Sequence, residues 1–324
     1  MLLVGKLGDK NFWYHAYQFS GLDDAIEIIR IGGSFEIFGL DNASIHYRDN
    51  LFSAVLSSLR IVKKHKIVVC FGYRWTGIIF GLLNIFLRKN LFIVCVGTDV
   101  YTLASKKAIR SILNVRAYIF PGEINKNRAN LKEKVPSLLL PWVIPKYLPK
   151  GSFKKGLDWI MITRFDSNKN PEYGIKLFLL TQKNTDIELH LYGTGLSLKT
   201  LKSKYELEDR IKFLNFVDSK KISFSNYSVF LQTSKSEGLS LALIEALWLG
   251  LQPFTTIAGD EETVLGFDYK GYLTGDLSID VNTVNAQLLR KESDIRHNLS
   301  QILNQYEKHE YARRESIKQV LSRT

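Results

Sequence analysis

Cysteine, proline and metal-binding clusters are scarce in this chain of 324 residues, and each shortage removes a class of protein. The two cysteines, Cys70 and Cys95, lie inside apolar runs (KIVVCF and LFIVCV). They read as reduced, buried thiols of a cytosolic protein, with a disulfide between them as the alternative; nothing else suggests a disulfide-built secreted scaffold. No Asp-x-Asp occurs and no His/Cys cluster has metal-ligand spacing, so no metal is expected. No apolar run reaches the ~20 residues that a membrane-crossing helix needs. TGIIFGLLNIFL (76–87) reads as a buried crossover helix, with membrane contact as the alternative. Met1 passes through Leu-Leu-Val straight into Gly5 and Lys6, too short a core for a secretory leader. No Gly-x-Gly-x-x-Gly follows the first apolar run, which argues against a dinucleotide fingerprint. Of only seven prolines, Pro141, Pro145 and Pro149 crowd into PWVIPKYLPKGSFKKG (141–156).

What is present is an alternation of short apolar runs with longer helical patterns. In the first half, strands are predicted near 1–4, 34–39, 66–71, 91–96, 116–120 and 137–140. Helices are predicted near 20–31, 50–65, 75–88, 103–114 and 123–133. In the second half, strands fall near 158–163, 187–192, 211–217, 228–233, 252–256 and 271–274. Helices fall near 171–181, 196–207, 218–225, 241–249 and after 282. This is the pattern of parallel sheets covered by helices, and it occurs twice. The seam at 141–156 has linker composition. Two doubly wound α/β domains are therefore expected, 1–150 and 151–324, with the C-terminal helices free to cross back. Such pairs normally make a cleft at the carboxyl ends of their strands.

Charge is divided unevenly between the halves. Residues 1–150 hold 21 Lys+Arg against 10 Asp+Glu, whereas 151–324 hold 23 against 22. An excess on one half points to an anionic surface or ligand, and nucleic acid or an anionic leaflet would both fit. LASKKAIRSILNVR (103–116) adds a basic amphipathic pattern, with Lys106, Lys107, Arg110 and Arg116 around an apolar side. It reads equally as a lipid-facing helix or as a packed helix with a solvated basic face.

The densest chemical signal is SKSEGLSLALIEALWLG (234–250). Ser240 is placed to cap a helix and Gly250 to stop it. Between them Glu245 is the one charge on an apolar helix, so it needs a partner or a ligand. Upstream, the strand 158–163 leads into a loop with Arg164 and Lys169, and a helix follows at Pro171 with Asn170 as its cap. A guanidinium and an ammonium beside a helix start could neutralise a diphosphate, or could be two solvated loop cations. The next strand ends at Tyr192, Gly193 and Gly195, where the backbone must turn tightly.

The order and spacing of these pieces resemble the C-terminal half of retaining glycosyltransferases of family 4, which have the two-domain, Rossmann-like GT-B fold. The match rests on Arg164 and Lys169, on Gly193 and Gly195, on Phe213 to Val217, and on Glu237, Glu245, Ala246 and Gly250 as the family's Glu-x7-Glu hallmark. It covers about 100 residues; Asn215 departs from it where a glycine is usual. The resemblance implies that Arg164 and Lys169 clamp the donor pyrophosphate. Backbone amides of Gly238, Leu239 and Ser240 would cradle phosphate or sugar. Glu237 would touch the transferred sugar, Glu245 the ribose, and the chain near Gly193, Tyr192 and Val217 would border the nucleotide. In the first half, CVGTDVY (95–101) resembles a family segment that would put Asp99 beside the sugar; an N-cap is the equal alternative. His15, with Phe12, Trp13 and Tyr14, would line an acceptor site or the core.

The expectation is therefore a metal-independent, retaining glycosyltransferase of polysaccharide assembly, cytoplasmic or peripheral on the inner membrane face. It would take a UDP-, GDP- or TDP-linked sugar and a glycan or lipid-linked acceptor, and no nucleic acid. The alternatives are a nucleotide-sugar epimerase or hydrolase on the same fold, and a non-enzymatic nucleic-acid-binding protein.

Overall fold

A computed structural model describes residues 1–5, 19, 26–31, 43–48, 50–72, 76–95, 99–105, 113–131, 136–142, 156–183, 185–217 and 221–323. The chain divides into two compact units, Met1–Val143 with Lys308–Thr324, and Ile144–Glu307. The seam lies earlier than the expected 150/151, because the proline-rich composition places it only to within its own length. The end of the chain belongs to the first unit, for a reason composition does not show: Ile317 and Leu321 are buried in that unit's core.

In the first unit the strands are β1 (Leu2–Gly5), β2 (Ile26–Ile31), β3 (Ala43–Arg48), β4 (Ile67–Phe71), β5 (Asn90–Val94), β6 (Ala117–Phe120) and β7 (Ser137–Leu139). They form a parallel sheet in the order β3-β2-β1-β4-β5-β6-β7. Helices α1 (Leu51–Ile61), α2 (Ile78–Leu87), α3 (Asp99–Ser105) and α4 (Glu123–Arg128) alternate with them. The expected helix near 20–31 is overturned for 26–31, which is β2, paired with β1 from Leu2↔Glu27 onward. Ile26, Ile28, Ile29 and Ile31 are all buried there. β-Branched residues buried on both faces of a strand leave no period for sequence to read. β3 was not expected at all; it is an edge strand that buries little. The expected strand at 34–39 lies outside the described residues.

The second unit holds β8 (Asp158–Ile162), β9 (Leu189–Tyr192), β10 (Ile211–Leu214), β11 (Tyr227–Gln232), β12 (Gln252–Thr256) and β13 (Tyr272–Leu273). These are parallel in the order β10-β9-β8-β11-β12-β13. Its helices are α5 (Pro171–Thr181), α6 (Leu198–Lys204), α7 (Leu241–Trp248), α8 (Glu261–Leu265), α9 (Leu277–Leu288) and the start of α10 (Glu292–Ser322). Of the expected helix at 218–225, residues 218–220 lie outside the described residues, and its end falls in a short 3-10 turn, Phe224–Asn226. Trp159, Phe178 and Phe254 anchor the core, with Trp159 edge-on to Phe178 and stacked on Phe254. Cys70 and Cys95 are buried thiols, not joined in a disulfide, and burial pushes the Cys70 thiol far up. No helix among the described residues is long and apolar enough to cross a membrane.

Candidate active site

The strand order of the second unit reverses between β8 and β11, which are neighbours although two strands intervene in sequence. Loops leaving the carboxyl ends of such a pair diverge and open a crevice at the topological switch point. The loop after β8 carries Arg164 and Lys169; the loop after β11 carries Glu237 and leads to Ser240 and α7.

The two loops are tied together. The Asn168 side-chain amide donates to the Ser236 carbonyl at 2.9 Å, and the Lys235 amide to the Asn168 carbonyl at 2.7 Å. The Thr233 hydroxyl donates to the Asn170 carbonyl at 2.9 Å. Across this frame the Lys169 ammonium pairs with Glu237 Oε1, which also accepts from Ser234 Oγ at 2.7 Å. The side chains of this pair are 20% and 13% exposed, so the pair is shielded but reachable. A crevice of about 50 Å³ opens on it, lined by Lys169, Ser234, Glu237, Ser240 and Ala242 among others. That is room for one or two oxygens of a ligand rather than for a whole nucleotide.

Arg164 reaches outward, 70% exposed, with its Nη2 3.3 Å from Asp166 Oδ2. Asp166 also accepts from the Lys169 amide at 2.9 Å, which fixes the loop between the two cations. Ser240 is the N-cap of α7: its hydroxyl oxygen accepts from the Leu243 amide at 3.4 Å. Asn170 holds the N-cap position of α5 with φ 49° but makes no side-chain cap bond. Gly250, φ 71°, follows the last turn of α7.

The Gly-x-Gly pair serves close packing of backbone. The amide of Phe165 donates to the Thr194 carbonyl at 3.0 Å, and that of Ser197 to the Phe165 carbonyl at 2.9 Å. Gly193 and Gly195 sit at φ +146° and +155°; a Cβ on Gly193 would lie 1.8 Å from the Thr163 carbonyl oxygen. Only glycine fits against the Arg164 loop here.

Of the other predicted residues of this unit, Val217 and Tyr192 do not line this crevice. Glu245 is buried in α7, 1% exposed, and does not line the crevice. Val217 lies beyond β10 and is half-buried. Tyr192 is half-buried, its hydroxyl 2.9 Å from that of Tyr227. Asp99 opens α3 after the carboxyl end of β5. The side chain of Asp99, and His15 with Phe12, Trp13 and Tyr14, lie outside the described residues, as do 106–112 of the basic amphipathic pattern.

Sequence reading missed Gln232 and Glu261. Gln232 accepts from Ser240 Oγ at 2.6 Å and donates to Glu261 at 3.1 Å. Burial, seconded by the charge of Glu237, pushes the Glu261 carboxyl up to about 7. A polar residue closing an apolar strand was the signal available for Gln232. At the amino ends of β8 and β9, Asp158, Glu188 and His190 gather within 4.8 Å. Both His190 nitrogens are engaged, at 2.7 Å from Tyr227 and from Glu188, and Lys212 lies 3.2 Å from Glu188. His190 and Lys212 hold Glu188 below its ordinary range, as befits a brace.

Two parallel, doubly wound units in one chain make the GT-B fold. Anabaena HepE, solved with UDP and glucose, aligns with a TM-score of 0.78 over 99% of each chain at 13% identity. The lipopolysaccharide outer core galactosyltransferase WaaB aligns with a TM-score of 0.61 over 98% of this chain and 100% of its own, at 15% identity. One component of the human phosphatidylinositol N-acetylglucosaminyltransferase is 25% identical over 202 residues, 57% of this chain. The chain spans only 40% of that relative's length. The family model "Glycosyl transferases group 1" matches residues 147–308, half of the sequence, and the chain belongs to that family.

Proposed function

We propose that this protein is a retaining, metal-independent glycosyltransferase that moves a sugar from a nucleotide donor to a glycan or lipid-linked acceptor. The Lys169–Glu237 pair at the switch point carries the reading. Without donor, the two side chains neutralise each other; with donor, Lys169 turns to the diphosphate and Glu237 to hydroxyls of the sugar. Arg164, exposed on the adjoining loop, supplies the second cation, and the amino end of α7 at Gly238, Leu239 and Ser240 supplies amides. The acceptor oxygen bonds to the anomeric carbon on the face from which the nucleotide leaves. The bond from that carbon to the diphosphate breaks, and the departing phosphate oxygen takes the acceptor proton. Asp99 and His15 are assigned to the sugar and the acceptor, and Val217 to the base. The ribose role of Glu245 rests on the family pattern, since here its side chain is buried.

UDP is the first donor nucleotide to test, because the fold neighbour HepE was solved with it; GDP and TDP donors are the other arms. Two observations support a lipid-linked acceptor at an anionic leaflet, in envelope polysaccharide assembly. The first unit holds 24 Lys+Arg against 12 Asp+Glu, the second 20 against 20, so the whole excess of +12 lies on one unit. On that unit α1 and α2 expose Phe52, Leu56, Leu82, Ile85 and Phe86, the last 85% exposed, and Arg60, Lys63, Lys64 and Arg88 beside them in sequence are exposed as well. The human relative is named for phosphatidylinositol and WaaB for lipopolysaccharide, which fits a lipid-borne acceptor.

The test is product formation from UDP-, GDP- and TDP-sugars with lipid-linked acceptors in anionic vesicles, with and without excess chelator. Acceptor-dependent, chelator-resistant transfer with the anomeric configuration kept is expected. Turnover of the donor without any acceptor would favour an epimerase or hydrolase, and loss of activity with chelator would end the metal-free assignment.

A further inference from the structure

We infer that Glu261 is a positioning residue for the donor site, holding the loop after β12 against the loop that carries Glu237 and Ser240. This rests on the donor reading above and adds a residue that neither the motif nor the family pattern supplied.

The argument starts from backbone. Loop 257–260 lies along loop 234–240: the Glu237 amide donates to the Ala258 carbonyl, and the Asp260 amide to the Gly238 carbonyl, each at 2.9 Å. The Thr256 hydroxyl donates to the Ser234 carbonyl at 2.6 Å. The approach is so close that a Cβ on Gly259 would sit 2.0 Å from the Gly238 carbonyl oxygen. The segment expected to cradle phosphate is thus shaped by the loop after β12.

Glu261 holds that second loop. Fully buried at the start of α8, its Oε2 accepts from the amides of Ala258 at 3.1 Å and Gly259 at 2.5 Å. Its Oε1 accepts from Gln232 Nε2 at 3.1 Å. Gln232 Nε2 also reaches Thr255 Oγ1 at 3.0 Å, while its Oε1 takes the Ser240 hydroxyl at 2.6 Å. One carboxylate thereby orients two amides under Glu237 and, through Gln232, the N-cap of α7. An ionised carboxylate only accepts, and three donors converge on this one; the acid would have to surrender a bond. Burial makes the ionised form costly, and its titration falls at about 7. The charge of Glu237 pushes the same way, and the Tyr272 phenol, raised chiefly by burial, is pushed further up by Glu262 and Glu261. The loop geometry is thus tied to a proton near neutrality.

The test measures UDP binding by calorimetry for wild type, Glu261→Gln and Gln232→Leu between pH 5.5 and 8.5. Glutamine keeps the shape of the acid and presents a donor where the acid would. At pH 8.5, Glu261→Gln is expected to bind UDP at least tenfold more weakly than wild type. The ratio should shrink toward one below pH 6, where wild type is protonated; UDP's own phosphate titrates in both proteins and cancels. Gln232→Leu, which removes the bonds that join Glu261, Thr255 and Ser240, should show the same direction of loss. A ratio that does not change with pH, or wild-type affinity in both variants, overturns the inference while leaving the donor reading intact. Should Glu261→Gln fail to fold, Gln232→Leu alone decides, and wild-type affinity in it overturns the inference. Wild-type protein that binds neither UDP, GDP nor TDP removes the donor reading and the inference together.

Discussion

Replacing Lys169 by alanine tests the site most directly, because two independent quantities should move. In the free protein the ammonium is largely shielded and faces Glu237, which is shielded further. Removing one partner of a buried pair costs about 3–5 kcal/mol, chiefly from the charge left behind. Here Ser234 still donates to Glu237 and some solvent reaches the crevice, so about 2 kcal/mol is expected. For a unit of this size that lowers Tm by roughly 4–8 °C. Turnover should fall by about 10²–10³, the value of one preorganised group aimed at developing phosphate charge. The double variant Lys169→Ala/Glu237→Ala should recover part of the lost stability, with a coupling of about 1–2 kcal/mol, and none of the activity. Calorimetric melts and a coupled assay of nucleotide release from the active donor measure both. A Lys169→Ala protein with wild-type turnover would refute the phosphate role. Unchanged Tm would refute the pairing seen in the free protein.

Other expectations follow from the same geometry. Arg164→Ala should leave stability within about 1 kcal/mol of wild type, since the side chain is exposed, yet lower turnover about a hundredfold; equal rates would return Arg164 to a solvated loop cation. Gly193→Ala forces a Cβ onto the Thr163 carbonyl at positive φ, and should cost about 3 kcal/mol or more in a denaturant melt. The Glu261 carboxyl titrates at about 7 in the fold against an ordinary 4.5. The native state therefore binds that proton more tightly than the unfolded chain. The stabilisation from that proton is full below pH 4.5 and lost as pH rises through 7, by at most about 1.4 kcal/mol per pH unit. Denaturant melts of wild type minus Glu261→Gln should show this slope, and a flat difference would contradict it. Phe86→Asp should weaken sedimentation with anionic vesicles several-fold, with binding that fades as salt rises; binding indifferent to lipid charge would remove the membrane proposal.

Sequence alone determined the alternation of elements in the second unit, where β12 and α5 match the expected bounds and α7 ends within one residue of them. The reason is local: Pro171 can begin a helix, Ser240 can cap one and Gly250 can end one, whatever the rest of the chain does. Sequence also placed Arg164, Lys169 and Glu237 in two loops, with Lys169 and Glu237 68 positions apart. The sheet order decided that the loops meet, because putting β11 beside β8 sets both at one switch point. What sequence could not give depends on burial. Four isoleucines in β2 read as a helix because both faces of the strand are covered. Glu245, expected to meet either a partner or a ligand, is enclosed in the fold, and Glu261, which sits between Asp260 and Glu262 in sequence, is buried under three donors. An acidic side chain has the same letter in water and in a core; only the packed chain settles which neighbours it meets, and so what its charge can do.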